Sequence, residues 1–297
     1  MQKAPPTPKG FRDINPDLAK KRREVIGQIV DVLEELDFVP IETPTIEFAE
    51  TLKGKYGEEE RLIYEFKDRG GRNLALRYDL TVPLARYVAT YNPPLPFRRY
   101  QIGQVFRGEN PQHGRYREFT QLDFDSVGSE SLEEDAKIVA IALSSMDKLG
   151  LKNKILFIND RKVFEGIQPK FVSAIDKLQK IGRDGVIDEL KQKGLSLEEA
   201  ISLLAKIERT PQTPTIKQIF RILPKYLKTG IDVEFSPTLA RGLDYYTGAI
   251  FELVTTGIGG LSIGAGGRYD NLIGMFSKKQ VPAVGFSFGL DRLIESL

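Results

Sequence analysis

The chain has 297 residues, no cysteine and a single histidine, His113, which excludes a disulfide framework, a thiolate metal site, a cysteine nucleophile and any metal centre built from several histidines. Hydrophobic residues make up 41% and charged residues 28% with a net charge of +2, the make-up of a folded globular chain of one large domain or two ordinary ones. No apolar run approaches the roughly 18 residues of a membrane span, and the Pro-rich start MQKAPPTPKGF lacks the apolar core of a secretory signal, so the cytoplasm is the expected compartment.

Residues 1–10 read as a flexible arm. Asn15-Pro16-Asp17 then supplies an N-cap, a proline for the first helical position and an acid for the first turn. Leu18, Val25, Ile29, Val32 and Leu36 follow at helical spacing, which predicts a helix to about Asp37. Phe38–Ile41, Ile63–Phe66, Leu74–Tyr78, Arg99–Phe106 and Arg117–Val127 are rich in aromatic and β-branched residues and read as strands. Ser131 and Glu134 form a capping-box pattern for a helix that ends at Gly150. Lys154–Ile158 is a short strand. From about Gly166 strand character disappears and apolar residues recur at helical spacing through Phe171, Ile175 and Leu178, then 195–207, then 216–227. Residues 170–228 hold 12 Lys/Arg against 7 Asp/Glu, a basic block on a slightly acidic body that hints at a polyanionic partner, though Lys-rich solvated helices look the same. Strand character returns at Ile231–Phe235 and Ile250–Val254, a Gly-rich stretch runs from Gly257 to Gly267, and Ala283–Leu293 closes the pattern. Many antiparallel-type strands with segregated helices argue for an α+β fold with a helical insertion. Neither a P-loop nor the GxGxxG dinucleotide fingerprint is present.

Four segments carry candidate chemistry. Phe106-Arg107-Gly108-Glu109 and Gly114-Arg115-Tyr116-Arg117-Glu118-Phe119 place three arginines around one loop, and clustered guanidiniums suit phosphate because each forks onto two oxygens. A surface hairpin with scattered ion pairs would read the same way. Arg241-Gly242-Leu243-Asp244-Tyr245-Tyr246-Thr247-Gly248 sets an arginine beside paired tyrosines, or is an ordinary strand and turn. Gly266-Gly267-Arg268-Tyr269-Asp270 allows close backbone approach, or is a β-turn. Gly285–Leu293, GFSFGLDRL, runs from strand into helix with Arg292 on the helix. His113 reads as a solvated loop residue rather than an acid or base.

Together these segments resemble the catalytic domain of the histidyl-tRNA synthetase family, within the class II aminoacyl-tRNA synthetases. The resemblance runs from Gly10-Phe11-Arg12-Asp13 to Leu293. The first helix through Pro44 is similar to motif 1, Phe106–Asp125 to motif 2 and its extension, and Gly285–Leu293 to motif 3. RGLDYYTG (241–248) and GGRYD (266–270) are similar to the two histidine-specific signatures. LRYDLTVP (76–83) and QLDFD (121–125) look like the archaeal and eukaryotic branch.

The resemblance implies a class II antiparallel sheet of six strands flanked by helices, a homodimer through motif 1, and a two-step reaction. L-histidine and ATP give histidyl-adenylate, and the histidyl group then passes to tRNA(His). The catalytic residues it implies are Arg107, bridging the histidine carboxylate and the α-phosphate, and Arg241, holding that phosphate from the other side. Arg115 and Arg292 would hold the outer phosphates, and Glu109, Phe119 and Arg292 the adenine. Asp79, Thr81, Gln121, Asp125, Tyr245 and Tyr246, with Arg107 and Arg241, would form the histidine pocket. There Asp79 would pair with the ammonium, and Asp125 and a tyrosine hydroxyl would meet the imidazole. Mg²⁺ would bridge phosphate oxygens. The expected layout is a catalytic core in two parts, 1–168 and 230–297, with a helical insertion at 169–229 that grips the tRNA acceptor arm. Members of the family continue past motif 3 into an anticodon-binding domain, whereas this chain stops at Leu297. A truncated catalytic core, a short natural enzyme and a non-catalytic paralogue acting as the regulatory subunit of ATP phosphoribosyltransferase all fit that length. The intact arginine and tyrosine set favours the enzyme.

Overall fold

A computed structural model describes residues 5–112, 114–227, 232–240, 245–255 and 262–297. Its strands are β1 (Val39–Pro40), β2 (Ile46–Phe48), β3 (Glu65–Lys67), β4 (Asn73–Leu76), β5 (Phe97–Phe106), β6 (Glu118–Val127), β7 (Lys154–Asp160), β8 (Val233–Phe235), β9 (Ala249–Thr255), β10 (Ser262–Arg268) and β11 (Ala283–Gly289). Its helices are α1 (Pro16–Glu34), α2 (Ala49–Leu52), α3 (Thr81–Tyr91), α4 (Leu132–Lys148), α5 (Pro169–Ile175), α6 (Leu178–Gln192), α7 (Leu197–Glu208), α8 (Pro214–Ile222) and α9 (Leu290–Ser296). None of them, among the described residues, is long and apolar enough to cross a membrane.

The central sheet has the order β1-β5-β6-β11-β10-β9-β7-β8. The run from β5 to β7 is antiparallel throughout, the class II sheet the motifs imply, and β1 and β8 extend it as parallel edge strands. A small sheet, β2-β4-β3, lies apart from it. The sheet is built on strict alternation. Leu122 and Phe124 of β6 and Val284, Phe286 and Phe288 of β11 enter a core with Val25 and Ile29 of α1, Ile138 and Ile141 of α4, Ile216 and Ile219 of α8, and Leu293 of α9. Gln121, Asp123 and Asp125 therefore face the other way, where a second cluster contains Tyr56, Tyr78, Tyr245 and Tyr269. A third cluster joins α5, α6 and α7 through Phe171, Val186, Leu190, Leu204 and Ile207.

Helix α1 starts as its sequence predicts: Asn15 accepts from the Leu18 N–H at 2.9 Å and Pro16 opens the first turn. It ends three residues before the predicted Asp37, which takes a left-handed φ of 62°. Ser131 caps α4, but no capping box forms. Its hydroxyl accepts from Glu133 N–H, while the Glu134 carboxylate turns inward to Arg98, Ser126 and Lys137. The reciprocal box forms instead at Ser196 and Glu199 of α7. Helix α3, strand β2 and the Gly-rich strand β10 have no counterpart in the sequence reading.

Burial opposes the charge on Glu134, but the bonds from Arg98, Ser126 and Lys137 outweigh it and hold its carboxyl at about 2. A depressed carboxyl stabilises the fold above its unfolded value near 4.5, and that stability is lost as pH falls through the folded value. Glu134→Gln is expected to cost about 1–3 kcal/mol at pH 7. It should also flatten the decline in stability between pH 4.5 and pH 2, measured by urea unfolding at a series of pH values.

Candidate active site

The pocket lies on the face of β6, β10 and β11 opposite α1 and α4. Its walls include Thr81, Asp123, Asp125, Tyr245, Tyr246, Gly266, Tyr269, Gly285 and Ser287. Of the residues expected to bind histidine, Thr81, Asp125, Tyr245 and Tyr246 thus share one cavity, and Asp79 adjoins it through Tyr245. Gln121 lies on the same face of β6, buried, with its side-chain oxygen unpartnered among the described residues.

Asp79 is fastened at the start of α3. Its Oδ1 accepts from the Val82 N–H and the Tyr56 hydroxyl, both at 3.0 Å, and its Oδ2 from the Tyr245 hydroxyl at 3.2 Å. The helix N-terminus and these donors favour its charge, but burial dominates and raises its pKa despite nearby Arg107. Burial and Asp79 hold the Tyr56 and Tyr245 hydroxyls protonated, well above their ordinary range. The Tyr245 proton is thus given to Asp79.

Asp125 is the central wall. Its Oδ2 lies 2.6 Å from Nη2 of Arg99, a guanidinium with no solvent exposure, and its Oδ1 accepts from the Tyr269 hydroxyl. Burial raises its pKa, while Arg99 and Tyr269 pull it back. Asp123 stands one pleat away with the same burial and is pushed up to about 7, relieved by Arg99 and aggravated by Asp125. Gly285 is directly opposite Asp125 on β11, and a Cβ there would meet Asp125 Oδ1 at 1.8 Å. A Cβ at Gly266 would meet the Gly285 carbonyl oxygen at 2.1 Å. These glycines let the carboxylate and the neighbouring strand occupy that space.

At the other end of β5, Arg107 is half-buried between aromatic rings. Its guanidinium carbon is 4.3 Å from the Tyr78 ring centroid and 5.1 Å from that of Phe119, and Nε donates to the Tyr78 carbonyl at 3.2 Å. Burial works against its charge, but Tyr78, Glu109 and Asp79 more than compensate, so it stays a cation. Past Arg107, Arg115 and Glu109 pair with each other. Nucleotide binding by either would exchange that ion pair for new contacts. Arg292 reaches back from α9, donating to the Gly114 carbonyl at 2.7 Å and the Ser262 carbonyl at 3.1 Å. It thereby ties the loop to β10. Arg241 and the rest of residues 241–244, with His113, lie outside the described residues.

The sequence reading gave no role to Asp123, Arg99, Tyr56 or Tyr269. Period-two alternation in Gln121-Leu122-Asp123-Phe124-Asp125 was a usable signal for Asp123, since Gln121 and Asp125 already fixed the face. Nothing local marks Arg99, which stands in Arg98-Arg99-Tyr100 like a surface residue.

Gly285→Ala is expected to force Asp125 off its partners and to cost at least about 2 kcal/mol. Urea unfolding of the variant against the parent measures this.

The histidyl-tRNA synthetase family model matches residues 10–181 and 161–293. The histidine--tRNA ligase of Aeropyrum pernix is 42% identical over 98% of this chain and 74% of that protein. That of Nanoarchaeum equitans is 42% identical over 97% and 73%. Among solved structures, histidyl-tRNA synthetase from Nostoc sp. PCC 7120 superposes with a TM-score of 0.81 at 30% identity, covering 97% of this chain and 74% of that one. A Bacillus halodurans protein described as an ATP phosphoribosyltransferase regulatory subunit/histidyl-tRNA synthetase gives 0.80 at 25% identity, covering 100% and 84%. With a matched family model along nearly its whole length and relatives of this identity over nearly all of it, the chain belongs to the histidyl-tRNA synthetase family.

Proposed function

We propose that the chain is the catalytic core of a histidine--tRNA ligase, which activates L-histidine with ATP to histidyl-adenylate and then transfers the histidyl group to tRNA(His). One observation carries this reading. A carboxylate-walled pocket with paired tyrosines lies beside a guanidinium held between two rings, the sites needed for a cationic amino acid and an anionic phosphate. The relatives named histidine--tRNA ligase supply the amino acid.

Asp79 pairs with the substrate ammonium, Asp125 accepts from the imidazole, and Thr81, Gln121, Tyr245 and Tyr246 complete the pocket. The attacking group is the histidine carboxylate, already ionised at neutral pH, so the first step needs no protein base. One carboxylate oxygen bonds to the α-phosphorus as the bond to the pyrophosphate oxygen breaks. Arg107 spans the carboxylate and the α-phosphate and offsets charge as it develops there. Arg241 takes the opposite side of that phosphate, Arg115 and Arg292 the outer phosphates, and Glu109, Phe119 and Arg292 the adenine. Among the described residues no group of three or more His, Asp or Glu side chains stands ready to hold a metal. Mg²⁺ would enter with ATP and offset the charge of its phosphates.

The helical segment 169–229 is proposed as an insertion that contacts the tRNA acceptor arm through its excess of lysine and arginine. A homodimer through motif 1 is supported by apolar side chains left exposed in it, Leu36 and Val39, and just past it, Ile46 and Phe48. The cytoplasm, where charged tRNA is consumed, is the proposed compartment.

Histidine-dependent exchange of labelled pyrophosphate into ATP, without tRNA, tests the central claim. Exchange is expected in the parent protein and should fall by about 10²–10⁴ in Arg107→Ala. Histidine binding without exchange would favour the regulatory paralogue. The dimer has its own test: Phe48→Arg should halve the mass measured by light scattering, and an unchanged mass would move the interface elsewhere.

A further inference from the structure

We propose that Asp123 is a second carboxyl of the imidazole pocket and holds the one proton that it shares with the bound ring. This rests on the histidine-activating reading above. A neutral imidazole presents one N–H donor and one bare nitrogen, so its pocket needs one acceptor and one donor. Asp125 is the acceptor, and Arg99 at 2.6 Å favours its ionised form against burial. Three of the nearby tyrosines already give their protons elsewhere. The Tyr269 proton goes to Asp125, and the protons of Tyr56 and Tyr245 go to Asp79. Asp123 lines the same cavity and is 2% exposed, and the Ser287 hydroxyl facing it from β11 favours its charged form.

The charges around Asp123 explain why it would carry a proton. On β5, Arg99 is spent on Asp125. Arg77 lies over Gly103 and donates to the carbonyls of Gln104 at 2.7 Å and Thr43 at 2.8 Å. Asp79 and Asp125 add negative charge, and Tyr269 stays neutral, held well above its ordinary range. Ser287 on β11 and Gln101 on β5 are the residues directly opposite Asp123, and both are uncharged. Two buried carboxyls thus compete for Arg99, Arg77 attracts Asp123 without pairing with it, and the carboxyl without an ion pair takes the proton. Its pKa near 7 agrees with that placement. In the complex the proton sits between Asp123 and the bare ring nitrogen. Neutral carboxyl with neutral imidazole and carboxylate with imidazolium are two forms of one protonation state.

Free Asp123 is mostly ionised at pH 8, so histidine binding there must draw a proton from solvent. Calorimetric titration of L-histidine at pH 8, in two buffers of different ionisation enthalpy, measures that uptake. The parent protein is expected to take up nearly one proton more than Asp123→Asn. The histidine KM in pyrophosphate exchange should rise close to tenfold per pH unit above neutrality in the parent and less steeply in the variant, with the ATP KM unmoved. Asp123→Ser, smaller and uncharged, gives the same comparison if the amide fails to fold. Equal proton uptake and parallel KM profiles in parent and variants, with binding and exchange intact, overturn the role of Asp123 alone. A parent protein that binds no histidine overturns this inference and the proposed function together.

Discussion

A guanidinium with no solvent exposure, Arg99 on β5, the second strand of the central sheet, has Asp125 of β6 at 2.6 Å. Taking two charges out of water costs several kcal/mol per ion, and their mutual attraction only partly repays it. Such a pair is weak evidence for stability and better evidence for a task. Here the surrounding architecture is shaped to accommodate it. The strand beside Asp125 has glycine where a side chain would collide with the carboxylate, and the next strand has glycine where one would collide with Gly285. Tyr269 gives its proton to the remaining oxygen. Two of the described donors of Arg99, Nε and Nη1, are left without partners. The fold retains these imperfections and so keeps the Asp125 carboxyl in the wall of a pocket.

The same pair explains the two-sidedness of the sheet. Apolar side chains of β6 and β11 alternate into the core under α1, α4 and α9, and polar or missing side chains alternate toward the pocket. A slip of one residue in β6 would bury Gln121, Asp123 and Asp125 among leucines and phenylalanines, so register and function are enforced by one pattern. Asp291 secures the far edge. It accepts from Arg22 at 2.6 Å, from Arg12, and from the Thr120 N–H at 2.9 Å, fixing α9 against β6 and α1. Arg292, the next residue, is thereby aimed across the loop that carries Arg115.

Much of this was legible before the structure. The long strands β5, β6, β7 and β9, helix α1 and the helical block after Gly166 follow from aromatic, β-branched and periodic signals that tertiary packing did not override. Strand β10 did not, because Ser262–Arg268 has almost no β-forming side chains. It is a strand because its neighbours leave no room for anything larger. Helix α3 was hidden by Pro83 and by β-branched Thr81 and Val82, and it starts where Asp79 caps it from outside the first turn. Of the residues that motif resemblance named for histidine, Thr81, Asp125, Tyr245 and Tyr246 line one cavity. Tyr56, Tyr269 and Arg99 were not named, since their importance comes from partners distant in sequence. The ion pair of Arg115 with Glu109 was equally invisible, being a matter of which conformation a loop adopts.

Strand β6 also acts as a ruler for the proposed substrate. Phe119, Gln121, Asp123 and Asp125 project from one face at intervals of about 7 Å, two residues of rise each. In the proposed reading they run from adenine, past the reacting carboxylate, to the imidazole. Net charge changes sign along that line: Asp79 and Asp125, with Arg99 on Asp125, stand at one end, and Arg107, Arg115 and Arg292, with Glu109 on Arg115, at the other. An amino acid with a cationic end and an anionic end entering this field is oriented before any contact is made, carboxylate toward the arginines. ATP is drawn only to the arginine end. The two reactants therefore meet with nucleophile and α-phosphate facing each other, and rigid strands supply much of the positioning that the reaction requires. That division of labour suits a chain with a single histidine and no cysteine. Its chemistry needs placement and charge more than proton transfer.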